Sequence, residues 1–409
     1  MHLNFVNVND AFMGIVRGMN MGSIETFRTP SRVGEVIQIA EPMTISYQSP
    51  RQRVLFNDTR DGNPFFHMFE SMWMLAGQND VASLAYYSSK IGSIASDDGE
   101  TFNGAYGYRW RHPNYLDLSG SPSPGDIPYG GADQLDIIVD HFKRTPASRR
   151  VVLQMWTVED DLMKIDKGKD VCCNTAAYFL IRRGDCPNCV GGLIDHERNH
   201  SEDAPSSSQC PRCKGFPKDM PLYLDMTVTN RSNDLIWGML GANVVHFSFL
   251  QEYLACSLGL EVGTYHQFTN NLHAYTETNS KWYPEEWLGD ELFGTMLHSY
   301  PEVSDESKLF WTPSDRELFD KEVKEFVRLN STGIDDLTRV TTWETPFLKF
   351  VAQPFMHAFH MHKLRDYAAA NFWINETQAD DWGKAGQAWL NKREKAYQNK
   401  SGRQPGDEA

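Results

Sequence analysis

The apolar positions along the chain fall into a few patterns that predict its elements. The clearest is the alternation in LYLDMTVTN, residues 222–230. Leu222, Leu224, Met226 and Val228 share one face, and Tyr223, Asp225, Thr227 and Thr229 the other. That period of two predicts a half-buried strand. Two continuous apolar runs, RVVLQMW at 150–156 and TAAYFLIR at 175–182, predict buried strands. Residues 63–77, NPFFHMFESMWMLAG, are apolar nearly all round, which predicts a buried helix with Glu70 in its middle and Gly77 as its stop. Phe247, Leu250, Leu254 and Leu258 recur at helical spacing and predict a helix over 243–258, ended by Gly259.

Other stretches lack such periods. Residues 1–62 read as irregular to strand-like, punctuated by Pro30, Pro42 and Pro50, and residues 97–131 as a loop rich in Gly, Asp, Ser and Pro. Residues 183–219, where Gly, Asn, Pro, Ser and Cys dominate, read as an insertion between two strands. Beyond about residue 280 the chain reads as a helical appendage. Ser314-Asp-Arg-Glu317 has the capping-box pattern, two more helices are expected within 350–396, and the tail from 397, ending SGRQPGDEA, is expected to be disordered.

Composition narrows the functional classes. The 409 residues carry 39 Lys and Arg against 54 Asp and Glu, a net charge of −15, which opposes a general nucleic-acid surface. No apolar run approaches the roughly 18 residues of a membrane span, and the N-terminus lacks the pattern of a signal peptide. The expectation is a cytoplasmic protein. Seven cysteines, odd in number, do not make a secreted disulfide framework and suggest metal or catalytic use.

Four of them form two Cys-x-x-Cys pairs, Cys186 with Cys189 and Cys210 with Cys213. Two such knuckles complete a tetrahedral thiolate site, which predicts a structural zinc because four thiolates leave no open position. Arginines cluster at strand ends: Ser148-Arg149-Arg150 opens one, and Asn230-Arg231-Ser232-Asn233-Asp234 closes another, with Arg32 in an early loop. Guanidinium forks and a hydroxyl suit a phosphate monoester. Cys172 and Cys173 are adjacent at the start of a buried strand. A cysteine there is a packing residue unless arginines approach it and stabilise its thiolate. Glu70 inside an apolar helix needs either a function or a salt-bridge partner.

Together these segments resemble the thymidylate synthase superfamily, which includes the pyrimidine nucleotide hydroxymethylases, over about residues 30–275. FESMWMLAGQNDVASL resembles its Glu-bearing helix, NGAYGYRWR its tyrosine-glycine segment with Tyr106, and SRRVVLQMW its arginine pair. DVCCNTAAYFLI resembles the nucleophile strand, with Cys173 at the nucleophile's position and Cys172 where the family usually has proline. MTVTNRSNDLIWG resembles the arginine-serine-x-aspartate motif, GANVVHFSFLQEYLA the segment whose asparagine reads the pyrimidine, here Asn243, and NNLHAY the sugar-holding pair His273 and Tyr275. Asn174 stands where synthases have histidine, and Asn230 where they have glutamine. One extra residue separates Gly238 from Asn243. IGSIASDDGETF lacks the synthases' tryptophans, and neither the insertion nor the chain beyond 280 has a counterpart in them.

The resemblance implies an α+β fold, a mixed sheet packed with helices. It divides the chain into a catalytic core of 1–182 and 220–280, the zinc-ribbon insertion 183–219, the helical extension 281–396 and the tail 397–409. It implies a pyrimidine deoxynucleoside monophosphate as substrate, 5,10-methylenetetrahydrofolate as cofactor, and a homodimer. Cys173 is then the thiolate that adds to C6. Glu70 relays protons and activates water, and Tyr106 helps to remove the C5 proton. Arg32, Arg231 and Ser232 hold the phosphate, Arg149 and Arg150 arrive from a partner subunit, and Asp234 anchors the pterin. An amide at 243 donates to O4 and accepts from N3–H of uracil, which favours dUMP, with dCMP the alternative. Small residues in place of the tryptophans, a polar tail, and Asn174 and Asn230 able to order a water favour a hydroxymethyl product over a methyl one. Two other classes stay open at this point: a catalytically silent nucleotide-binding or interaction protein, and a zinc-ribbon nucleic-acid protein.

Overall fold

The computed structural model describes all residues except 32–33, 58–59, 97, 113–132, 166–169, 185–192, 196–206, 210–219, 277–298, 305–306, 332–341 and 402–409. Arg32 and all four cysteines of the two Cys-x-x-Cys pairs therefore lie outside the described residues, as does the tail beyond 401.

The chain opens with β1 (His2–Phe5), α1 (Val8–Asn20), β2 (Thr26–Ser31), β3 (Gly34–Ile39) and β4 (Met43–Tyr47). The buried helix follows as α2 (Pro64–Leu75), then α3 (Val81–Ala85), α4 (Tyr106–Arg111) and α5 (Gln134–Arg144). Next come β5 (Val152–Gln154), β6 (Asn174–Arg183), β7 (Leu193–Asp195), β8 (Ser207–Gln209), β9 (Leu222–Asn230) and β10 (Asn233–Asp234). The core closes with α6 (Asn243–Leu258), β11 (Glu261–Thr269) and β12 (Leu272–Tyr275). Four helices of the extension follow: α7 (Arg316–Asn330), α8 (Gln353–Leu364), α9 (Tyr367–Asn375) and α10 (Asp380–Ser401).

Six strands form a mixed sheet in the order β1-β4-β11-β9-β6-β5, and four more a second sheet, β10-β12-β3-β2. Parallel and antiparallel pairings with helices packed against them make this the expected α+β architecture. β6 and β9 pair antiparallel from Asn174 opposite Asn230 to Arg183 opposite Leu222, with a register shift between Asn174 and Ala176. That irregularity bends the strand beside Cys173. The insertion contributes a separate antiparallel pair, β7 with β8.

α2 begins as its sequence dictates. Asn63 Oδ1 accepts from the Phe66 N–H at 3.2 Å and Pro64 occupies the first turn. It stops where Gly77 takes a left-handed φ of 72°. α6 is buried almost throughout and ends at Gly259, φ 66°. Its Glu252 is fully buried and paired with Arg53 and Arg51. Nearby, the Tyr300 hydroxyl donates to Asp381 Oδ2 at 3.0 Å and accepts from the Val54 N–H, which fastens the extension to the core.

Five sequence expectations are corrected. Three helices rather than two, α8, α9 and α10, follow residue 350, and α10 runs to Ser401, so residues 397–401 are helical rather than part of a disordered tail. Residues 8–20 form a helix rather than irregular structure. Val8, Ala11, Phe12, Ile15, Val16 and Met19 are all buried on one face, and Asn7 caps the N-terminus. Within the stretch read as loop, Tyr106–Arg111 is helical. The capping box before α7 belongs to Thr312 and Asp315, not to Ser314 and Glu317.

Candidate active site

The two adjacent cysteines have opposite environments. Cys172 is buried in the core, and its thiol donates to the Asn174 carbonyl at 3.1 Å; burial pushes that thiol far above its usual range. Cys173 is half-buried, and Arg231 reaches over it with Nη2 3.7 Å from Sγ. The same guanidinium donates from Nε to the Cys172 carbonyl and from Nη2 to the Val171 carbonyl, both at 2.9 Å, so it is held across the start of β6. Burial raises the Cys173 thiol, and Arg231 opposes that rise.

Glu70 is 9% exposed on α2, and its partner is a histidine rather than an arginine. Glu70 Oε2 stands 3.0 Å from His246 Nε2 of α6, yet neither atom makes a well-directed hydrogen bond. Tyr106 opens α4, with the Asn174 side chain and the Cys173 thiol close to its phenol; burial holds that phenol well above the usual tyrosine range. Its ring lies 5.8 Å from that of Phe247. Gly107 lets α4 come this close, because a Cβ there would sit 2.0 Å from the Met74 carbonyl oxygen.

Asn174 and Asn230 face each other across β6 and β9. Asn174 Nδ2 donates to Asn230 Oδ1 at 2.6 Å, and Asn230 Nδ2 to the Phe268 carbonyl at 3.0 Å. Both side chains are buried, and Asn174 Oδ1 has no partner among the described residues. The parallel pairing of β10 with β12 sets Asp234 beside His273. Ser232 Oγ approaches His273 Nδ1 at 3.5 Å, and the rings of His273 and Tyr275 are 5.1 Å apart.

Between β10 and α6, Leu235–Ala242 forms helical turns broken by a kink at Gly241, φ −121° and ψ −109°. That break falls within the longer Gly238–Asn243 spacing. Asn243 Nδ2 then donates to Asn233 Oδ1 at 3.1 Å. Asp234 Oδ1 accepts from the Trp237 N–H, while its buried Oδ2 has no hydrogen bond. Burial pushes this carboxyl up to about 6, against the pull of Arg60. Arg60 lies 4.0 Å over the half-exposed Trp237 ring, and burial lowers it to about 10.

The structure thus gathers Cys173, Asn174, Tyr106, Asn230 and Arg231 around the start of β6, with Glu70 and Asn243 on the helices behind and Ser232, Asp234, His273 and Tyr275 on the adjoining strands. Arg149 and Arg150 are not gathered with them. They are exposed just before β5, whose Val152 pairs with Tyr178, five residues beyond Cys173 and so roughly 16 Å along the strand. Sequence reading missed His246, Asn233, Arg60 and Trp237. The signal for His246 was an imidazole in a largely apolar helix, three positions after Asn243.

A model of the family described as thymidylate synthase matches residues 58–283. The chain is 35% identical over 396 residues to a deoxyuridylate hydroxymethyltransferase of Pseudomonas phage M6, covering 93% of this chain and 92% of that one. It is 33% identical over 244 residues to the enzyme of the same name from Bacillus phage SP01, covering 60% and 52%. To a thymidylate synthase of Ascaris suum it is 27% identical over 128 residues, covering 28% and 41%. With Arg231 of the arginine-serine motif over Cys173 of the nucleophile strand, and with matches of this extent, the chain belongs to the thymidylate synthase family.

Proposed function

We propose that this protein is a one-carbon transferase that converts dUMP and 5,10-methylenetetrahydrofolate to 5-hydroxymethyl-dUMP, in the cytoplasm of a phage-infected cell. The observation that carries the hydroxymethyl reading is a set of unsatisfied polar atoms on the elements that build the site. Asn174 Oδ1, Glu70 Oε2 and both ring nitrogens of His246 are buried without full hydrogen bonds. Buried polar groups of this kind take up ordered water, and water is the reagent that separates this product from thymidylate.

The residues present suit the folate. Asp234 offers a buried, unpartnered carboxylate oxygen to the N–H edge of a pterin, and Trp237 offers a half-exposed ring for stacking. When bound, the folate supplies the carbon at the formaldehyde oxidation level. The chain's own residues do the rest. Cys173, under Arg231, adds to C6 of the pyrimidine and makes C5 nucleophilic. Tyr106 helps to take the C5 proton. Asn243 matches N3–H and O4 of uracil. Ser232 and Arg231, with Arg32, bind the phosphate, and His273 and Tyr275 hold the sugar. Glu70 deprotonates the water that Asn174 and Asn230 help to order.

A homodimer completes this reading. Val152, Tyr178 and Leu180 are large, exposed apolar side chains on neighbouring strands of the main sheet, a face suited to a second copy, and Arg149 and Arg150 stand at its edge. The zinc reading rests on the cysteine spacing. The β7–β8 register supports it, because Leu193 pairs with Gln209 while Cys189 precedes the one and Cys210 follows the other closely. Its test is one zinc per chain in freshly purified protein.

The deciding experiment is mass spectrometry of products from dUMP and from dCMP with methylenetetrahydrofolate, with absorbance followed in parallel. A hydroxymethyl nucleotide from dUMP without dihydrofolate formation is expected. Thymidylate with stoichiometric dihydrofolate, or turnover of dCMP alone, would overturn the assignment.

A further inference from the structure

The mechanism above leaves the buried imidazole of His246 unused. His246 is 2% exposed, and it stands on the first turns of α6 with Asn243 three positions before it and Phe247 next to it. Residues three and four apart share a helix face. That face carries Asn243 in the site and Phe247 against Tyr106. His246 Nε2 is 3.0 Å from Glu70 Oε2, and its Nδ1 has no hydrogen bond. Among the described residues, Glu70 and His67 of α2 face it, and Arg60, from the segment before α2, acts on His67. His67 is held well below the usual histidine range by burial, with Arg60 and His246 adding to the effect, so it is neutral. Arg60 is turned away toward the Ile236 carbonyl and the Trp237 ring. Glu70 is thus the group that His246 is aimed at.

We propose, resting on the hydroxymethyl reading above, that His246 is a positioning residue for the hydration step, orienting Glu70 and taking from it the proton released by the attacking water. In that step the water oxygen bonds to the exocyclic methylene carbon on C5. The methylene π pair moves into the ring as the C4 enolate. Collapse of the enolate re-forms C5=C6 and expels the Cys173 thiolate from C6. The water proton passes to Glu70 and on to His246 Nε2, and it leaves to the thiolate or to solvent before the next cycle. With an amide at 174 that cannot accept a proton, the Glu70–His246 pair supplies a place to hold it. Poor alignment in the free protein fits a contact that tightens only when substrate is bound.

The test uses the full-length protein and His246→Gln, which keeps an N–H toward Glu70 but cannot hold a proton. dUMP labelled with tritium at C5 reports proton abstraction, and mass spectrometry reports product. Hydroxymethyl-dUMP formation should fall about 100-fold, while tritium release in the first turnover and KM for dUMP stay within about threefold. Nucleotide should accumulate on Cys173 in acid-quenched protein. Glu70→Gln combined with His246→Gln should lose no more product formation than Glu70→Gln alone, as groups acting in series do. If the glutamine variant melts early, His246→Asn is read in the same way. Unchanged product formation, or tritium release falling in step with product, would overturn the proposal. Wild-type protein assayed alongside separates the two readings: thymidylate from wild type would overturn the hydroxymethyl reading itself, and this proposal with it.

Discussion

Arg231→Gln should slow the chemistry of Cys173 through the thiol's ionisation. The guanidinium Nη2 lies 3.7 Å from Sγ. Coulomb's law at that distance gives about 1 kcal/mol in a water-like dielectric and about 4 kcal/mol in a protein-like one. Arg231 is itself exposed, so solvent screens the pair and the lower end applies, about 1–2 kcal/mol. Burial already raises this thiol, and Arg231 is the charge that restrains it. Its loss should move the thiol further up. At neutral pH the thiolate fraction, and with it the rate of alkylation by iodoacetamide, should fall about tenfold. The assay follows the peptide containing Cys173 by mass spectrometry from pH 7 to beyond the raised range of the variant's thiol. The rates of variant and wild type should converge above the thiol's own range, since both are then ionised. Equal rates at neutral pH would refute the electrostatic role. A tenfold deficit that persists at high pH would refute it equally, because it would mean altered access rather than altered ionisation.

Other substitutions probe separate parts of the site. Cys173→Ala should abolish turnover and Cys172→Ala should leave most of it, as measured by product formation, because Cys172 lies in the core with its thiol turned to a backbone carbonyl. Gly107→Ala should cost about 2–3 kcal/mol in denaturant unfolding, since its Cβ meets the Met74 carbonyl, which cannot move without shifting α2. Asp234→Asn should raise thermal stability at pH 7.5 while weakening folate binding. The folded carboxyl sits near 6, above its unfolded value of 3.8, so its ionisation costs nothing below about pH 4 and about 1–3 kcal/mol above pH 6, and the amide removes that cost. Asn243→Asp should shift activity from dUMP toward dCMP, read as the ratio of kcat/KM for the two nucleotides, because a carboxylate suits the amino group and protonated N3 of cytosine.

The parts of this protein legible in its sequence are those whose cause is local. α2 announced itself because Asn63, Pro64 and Gly77 carry their boundary roles wherever the helix goes, and β9 because one face must be apolar. α1 carried an equally regular stripe, but Gly14 and Gly18 weaken its local helical preference. The structure explains them: a Cβ at Gly14 would lie 2.4 Å from the Phe5 ring and one at Gly18 2.7 Å from Ile24, so close packing rather than propensity chose those residues. The pairing of Glu70 with His246 was invisible because 176 positions separate them and only the packing of α2 on α6 brings them together. Likewise the motif residues supplied by β10 and β12 become neighbours through a parallel pairing that no short-range pattern encodes. The kink at Gly241 is the converse case, since the extra residue was plain in the sequence while its accommodation needed the fold.

The long insertion enters at the far end of the β6–β9 hairpin. Gly184 still bonds to the Pro221 carbonyl at 2.9 Å, so the chain leaves and returns at the width of one strand pair. Asn174 and Asn230 sit at the opposite end of the same ladder, about 30 Å away. Closing a loop costs only logarithmically more as it lengthens, so almost any sequence could be spliced between those two anchor points without disturbing the chemistry. The hairpin tip is therefore a hinge-width opening at which extra chain length is absorbed without strain on the reaction centre at the other end of the ladder.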